Sequence, residues 1–392
     1  MSIASTEAFR FRPPQHAVTA EERWCLLRAF ARRGAAAPSI DAAGVVELAR
    51  ALGLATRIAG RLGPAALRAE LGDEASRALL HDYASALGQA QALARATRRV
   101  AEAAAELGAP LVLLKRAALV ALGFVDDAQR EAVDVDVLVA EEALAALQGR
   151  LVAGGWRASD GSPADHQAAP LTDPDGTMIE LHRFVPGLRV AGSRLEARLA
   201  DLERAGALVA LADWPGRVFA PTREVLAAHA LVHGLDQHGL APASYPLMRM
   251  LADIADLEEA GVAPGRDAVE RWTGTALSHA EVSAALTLVA DLRRGAEPAS
   301  PHASILLRHI LVAAADPSYH ESLSQRALVT QLTSGAPSDR SRLFASVVFP
   351  TRAQLDAIYG GPRSGLGYAL LRLWRPFDLG LRLARHLWRG RR

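Results

Sequence analysis

Leu111-Val112-Leu113-Leu114-Lys115-Arg116 and Val133-Asp134-Val135-Asp136-Val137-Leu138-Val139 are the two stretches on which the reading of this chain turns. The first follows Gly108-Ala109-Pro110, a turn signal, and opens as a short continuous apolar run, the pattern of a strand covered on both faces. The second is rich in valine. The two-residue period of a strand puts Asp134 and Asp136 on one face and Val133, Val135, Val137 and Val139 on the other. Lys115 is the only lysine in a chain whose 44 basic residues are otherwise arginine. Where arginine serves as the general surface cation, a lone lysine beside a buried strand points either to chance or to the chemistry of a compact ammonium, a point charge suited to phosphate.

Two carboxylates spaced like Asp134 and Asp136 can chelate hard divalent cations, because oxygen ligands suit Mg²⁺. Without a cation they repel, and one tends to hold a proton. A third acid on a neighbouring strand would complete a two-metal site that clamps both oxygens of an in-line phosphoryl displacement. Glu180, in Thr177-Met178-Ile179-Glu180-Leu181-His182, is the candidate; it faces the same side as Met178 and His182. A solvated strand face is the plain alternative. His166 and His182 are placed to orient a carboxylate or a substrate, or to pack beside the strand.

Outward from these strands the pattern is helical. Residues 21–33, 41–52 and 75–107 carry apolar positions at three-to-four spacing, separated by Gly and Pro. Between the two strands, residues 117–122 favour helix and 123–132 form a polar loop. Residues 141–153 are helical up to Gly154-Gly155, 156–158 read as a short strand, 160–176 as loop and 177–184 as strand. Helices resume from 194; 222–235 and 247–259 are the clearest, with helical segments to about 332. A polar break at 334–340 precedes 343–359. A basic amphipathic tail from 366 to 388 is interrupted by Pro376.

Half of the composition is hydrophobic, aromatics are 5%, and net charge is +1, which gives no global drive toward nucleic acid. No apolar run approaches a membrane span, the opening residues show no apolar signal stretch, and Cys25 is the single cysteine. The expectation is a cytoplasmic protein. From Arg363 to Arg392 eight arginines face one acid, Asp378, so the tail can pack, contact a partner or lie on an anionic surface.

These residues resemble a family. Leu114-Lys115 followed by a short helix, Arg130 ahead of Asp134-Val135-Asp136-Val137-Leu138-Val139, and His166 before Ile179-Glu180-Leu181-His182 are similar to the bacterial uncharacterised nucleotidyltransferases of the polymerase-β-like superfamily. His229-Ala230-Leu231-Val232-His233, Met248-Arg249-Met250-Leu251-Ala252-Asp253-Ile254, and Phe349-Pro350 through Tyr359-Gly360 look like that family's later segments. The resemblance implies an α+β, predominantly helical protein with a small mixed sheet. Residues 1–106 would form an N-terminal helical region, 107–190 the α/β core, 191–332 a helical domain and 333–392 a C-terminal segment.

It also implies Mg²⁺, two ions if active, held by Asp134, Asp136 and Glu180, and transfer of a nucleoside monophosphate from an NTP. Lys115, Arg116, Arg130 and Arg249 would bind nucleotide, and His166, His182, His233 and Asp253 would line the cleft. The acceptor is unidentified; a small molecule or peptide is favoured over nucleic acid because the net charge is low. The alternatives are a silent binding protein that kept the fold, and a toxin-like transferase modifying RNA or protein.

One departure matters. The family has glycine after its lysine, whereas this chain has Arg116-Ala117-Ala118. Either Arg116 points away, or it grips phosphate, or the nucleotide site is degraded. Elsewhere, His229 and His233 lie one helical turn apart, with His238 beyond; they can share a metal or line a cleft. Arg249 and Asp253, four apart, can form an intrahelical ion pair or face the cleft.

Overall fold

A computed structural model describes residues 9, 11, 16–31, 39–159, 168–190, 195–238, 247–261, 264–274, 276–315 and 365–389. Two compact units emerge: residues 1–239 with 243–315, and residues 240–242 with 316–392.

In the first unit, helices α1 (Ala20–Phe30), α2 (Ala42–Ala51) and α3 (Ala55–Glu106) precede strand β1 (Leu111–Leu113) and helix α4 (Lys115–Ala121). A 3₁₀ turn (Asp127–Gln129), β2 (Asp134–Val139), α5 (Glu141–Ala153), β3 (Arg157–Ala158), β4 (Leu171–Thr172) and β5 (Met178–His182) follow. Then come α6 (Leu199–Arg204), β6 (Leu208–Ala210), β7 (Val218–Pro221) and α7 (Arg223–Leu231). A π turn (Val232–His238), α8 (Leu247–Glu259), α9 (Arg266–Thr273), α10 (His279–Arg293) and α11 (Pro301–Ala315) complete it.

The sheet is mixed, in the order β3-β4-β5-β2-β1-β7-β6. At its centre β1 runs antiparallel to β2, with Leu113 opposite Val137, and parallel to β7. β2 runs parallel to β5, with Asp136 opposite Glu180 and Leu138 opposite His182. β1 is buried throughout, and β2 is buried from Val135 onward, because α3 and α4 pack on them. Each Leu or Val so enclosed contributes about 1.5–3 kcal/mol relative to exposure. The predominantly helical α+β architecture is as the sequence indicated.

Several elements differ from the sequence reading. Helix was expected from residue 194 onward, but β6 and β7 form a hairpin there, because β7 gains a non-local partner in β1 that no local pattern reveals. β4 lies inside the stretch read as loop, paired to β5. α3 begins twenty residues earlier than expected and is interrupted at Gly63 (φ 71°) and Gly72 (φ 77°), with Pro64 restarting it at a position where its missing N–H costs nothing. The π turn ends α7 early, and Gly234 lets it approach Met250 of α8 without a clashing Cβ. Segments 334–340 and 343–359 lie outside the described residues.

In the second unit, α12 (Gly365–Arg389) is continuous through Pro376, so the expected interruption is absent. Leu370, Leu373, Trp374 and Phe377 are exposed on it. No described helix is long and apolar enough to cross a membrane. Burial pushes the Cys25 thiol up to about 12, which leaves it inert as a nucleophile.

A buried ion pair ties α3 to α8. Arg57 donates to Asp256 at 2.7 Å and to the Ala29 carbonyl at 2.8 Å. Burial drives the Asp256 carboxyl up to about 6, against the pull of Arg57. A folded value above the unfolded one contributes stability that is complete below the ordinary carboxylate range and is lost as pH rises through about 6. Urea denaturation should therefore show wild type gaining about 2–3 kcal/mol on Asp256→Asn between pH 7.5 and pH 4.

Candidate functional site

The end of β1 is fastened to β2 by Leu114 N–H donating to the Asp136 carbonyl at 3.0 Å, so the next residue, Lys115, emerges beside the Asp136 side chain. Its Nζ lies 2.7 Å from Asp136 Oδ1. Lys115 is the one non-glycine among the described residues with positive φ, at 45°. A left-handed residue with a side chain costs about 1–3 kcal/mol, and such strain persists only where the surroundings hold it. Here the ion pair and the strand junction do so.

The same Asp136 oxygen is reached by His182 Nε2 at 2.9 Å, and that nitrogen lies 3.5 Å from Glu180 Oε2. The parallel register of β2 and β5 explains the convergence, since it sets Asp136 beside Glu180 and His182 one pleat further on the same face. Asp136 and His182 are buried; Asp134 and Glu180 are partly open.

Burial alone would favour a protonated Asp136. The Lys115 ammonium and the bonded His182 outweigh it and hold the carboxyl well below the usual range. Asp134 lacks such partners at bonding distance; burial and the neighbouring Asp136 charge raise it to about 6. For Lys115, burial opposes the ammonium, but Asp136 wins and the net shift is upward.

Asp136, Glu180 and His182 each offer a ligand atom within 4.8 Å of the others, the one such group among the described residues. That oxygen and nitrogen donor set fits a divalent cation. Three carboxylates against one ammonium leave the cleft short of positive charge.

The arginines expected to bind nucleotide have protein partners. Arg116 is buried inside α4 and points into the loop before β2, donating to the Arg130 carbonyl at 2.7 Å and to Asp127 at 2.8 and 3.0 Å. Arg130 forms a bidentate pair with Asp253 of α8 at 2.6 and 3.0 Å. Arg249 donates to Glu131 at 3.1 Å. Arg249 and Asp253 thus both reach across from α8 to the loop, rather than serving only one another. These contacts brace residues 127–131, which lead directly into Asp134. Asp127 and Glu131 were missed by sequence reasoning; the acids of the polar loop at 123–132 were the available signal.

His229 is buried beside His233, ring centroids 6.1 Å apart, and His233 lies 4.7 Å from His238. These three form no converging ligand set among the described residues. Burial, reinforced by the Lys115 charge, lowers His229 to about 3 and depresses His233 and His238 as well, so all three are neutral at pH 7. A cavity of about 20 Å³ adjoins Lys115, lined by Arg130, His229, His233 and Asp253 among others. His166 lies outside the described residues.

Residues 38–289 match the family described as "Uncharacterised nucleotidyltransferase", well over half of the chain. The chain belongs to that family. No curated protein and no solved structure matches it. In this nucleotidyltransferase Arg116 sits in helical conformation, and the positive φ falls on Lys115 itself. Arg116 in this nucleotidyltransferase is therefore a brace. Arg116→Ala should lower stability by about 2–4 kcal/mol in thermal or urea unfolding, because charge-assisted bonds to two residues are lost together.

Proposed function

We propose that this nucleotidyltransferase moves a nucleoside monophosphate from an NTP to an acceptor hydroxyl or amine and releases pyrophosphate. The observation that carries the reading is the convergence of Asp136, Glu180 and His182 beside Lys115, with Asp134 two residues away on the same strand. Asp134, Asp136 and Glu180 would hold Mg²⁺, which when bound supplies charge neutralisation at the reacting phosphate.

The chain's own groups do the rest. His182 fixes the rotamer of Asp136 and keeps its Oδ1 turned toward Glu180. Lys115 supplies a point charge for phosphate oxygens. Glu180, partly open, is placed to take a proton from the acceptor. Arg116, Arg130 and Arg249 hold the loop that delivers Asp134, so their effect on nucleotide binding is indirect. Catalysis of this kind rests on positioning and electrostatics.

A small molecule or peptide suits the acceptor better than nucleic acid, since the net charge is +1. We place the reaction in the cytoplasm and assign the basic C-terminal tail to contact with a partner or an anionic surface. The alternative of a silent binding protein gains nothing from Arg116, whose guanidinium is engaged in the loop.

An NTP should raise the melting temperature in the presence of Mg²⁺, and the Asp134→Asn/Asp136→Asn variant should abolish the shift. Incubation with labelled NTPs and a cell extract should then transfer label to an acceptor in the same Mg²⁺-dependent way. Absence of a shift with every NTP, or a shift that survives the double variant, contradicts the proposal.

A further inference from the structure

We propose that Lys115 is a resident counter-cation: its ammonium occupies the cation-binding oxygen of Asp136 until a divalent ion displaces it. The proposal deepens the reading above and rests on it for the presence of a divalent ion. The oxygen common to the donor group is Asp136 Oδ1, because it is the one 2.9 Å from His182 Nε2, itself 3.5 Å from Glu180. That same oxygen is the one Lys115 Nζ holds at 2.7 Å.

A lysine ammonium is donor-only and a carboxylate acceptor-only, so His182 must contribute the proton in its own bond to Asp136. Both groups thus satisfy a buried carboxylate that would otherwise stand uncompensated. A divalent ion coordinated by Oδ1 would place a second positive charge within a few ångströms of the ammonium in a partly buried cleft, an arrangement that expels one of them. The other carboxylates that act on Lys115, Asp134 and Glu180, are the ones that hold the same ion in the reading above, so a bound cation leaves the displaced ammonium no carboxylate of its own. Asp253 is taken by Arg130, and the neighbouring rings of His229 and His233 carry no negative charge. An NTP supplies what is missing, since its phosphate oxygens accept the freed ammonium. Metal and triphosphate therefore load cooperatively, and metal alone binds weakly. Lysine at this one position, with arginine at every other basic position of the chain, fits this use: a guanidinium, locked in a planar fork, exchanges partners less readily than an ammonium on a flexible stem.

Because Lys115 is the only lysine, lysine-selective ¹⁵N and ¹³C labelling gives a single side-chain ammonium signal from the full chain. Mg²⁺ alone is titrated in while calorimetry follows its binding. The Lys115 signal should move toward that of Asp136→Asn and lose its protection from proton exchange, with the midpoint that calorimetry gives. Lys115→Met should bind Mg²⁺ about ten-fold tighter or more, a full unit in log affinity. Mg²⁺ binding that leaves the ammonium signal protected and unmoved overturns the proposal and spares the cation site. Equal or weaker Mg²⁺ binding by a folded Lys115→Met does the same. No Mg²⁺ binding by wild type or variant overturns both the proposal and the reading beneath it.

Discussion

A carboxylate that stays ionised inside a sheet is the constraint around which this molecule is arranged. Asp136 is 3% exposed, on a strand whose other residues from Val135 onward are also buried. Desolvation alone would neutralise it. It is charged because β1 ends where Lys115 can reach it, and because β5 runs parallel at a register that brings His182 to the same oxygen. The left-handed backbone at Lys115 belongs to the same arrangement: the chain accepts local strain so that the ammonium meets the carboxylate.

A second layer keeps the approach to that strand in place. Arg116 on α4, and Asp253 and Arg249 on α8, all bind the loop before β2. The pairs Arg130–Asp253 and Arg57–Asp256 are largely withdrawn from water, where removing one partner leaves the other charge uncompensated. The loop is therefore part of the scaffold of the cleft, and its arginines act on the carboxylates through the backbone they fix.

The sequence made the central strands legible because apolar runs bounded by Gly and Pro, and a valine alternation, are local signals. It also made legible that Asp134, Asp136 and Glu180 share a face, since strand period needs no tertiary knowledge. What escaped it was non-local. β7 is a strand because β1 pairs with it, and β6 because β7 does; neither segment carries a pattern that excludes helix. The interruptions of α3 at Gly63 and Gly72 were written in the glycines, but the register that resumes after Pro64 was not. Arg116 was ambiguous for a physical reason: a guanidinium that can grip phosphate can equally grip carbonyls and a carboxylate, and only the folded loop shows which. The positive φ at Lys115 itself had no local signal either.

The central claim is that the Asp134, Asp136 and Glu180 carboxylates hold a divalent cation, with His182 orienting Asp136. Crystals grown or soaked with Mn²⁺ and measured at a wavelength where manganese scatters anomalously address it directly. The account predicts an anomalous peak within coordination distance, about 2.0–2.3 Å, of an Asp136 oxygen and of at least one other member of the group. A saturating Mn²⁺ concentration that yields no peak there, or a peak only at surface carboxylates, would contradict it.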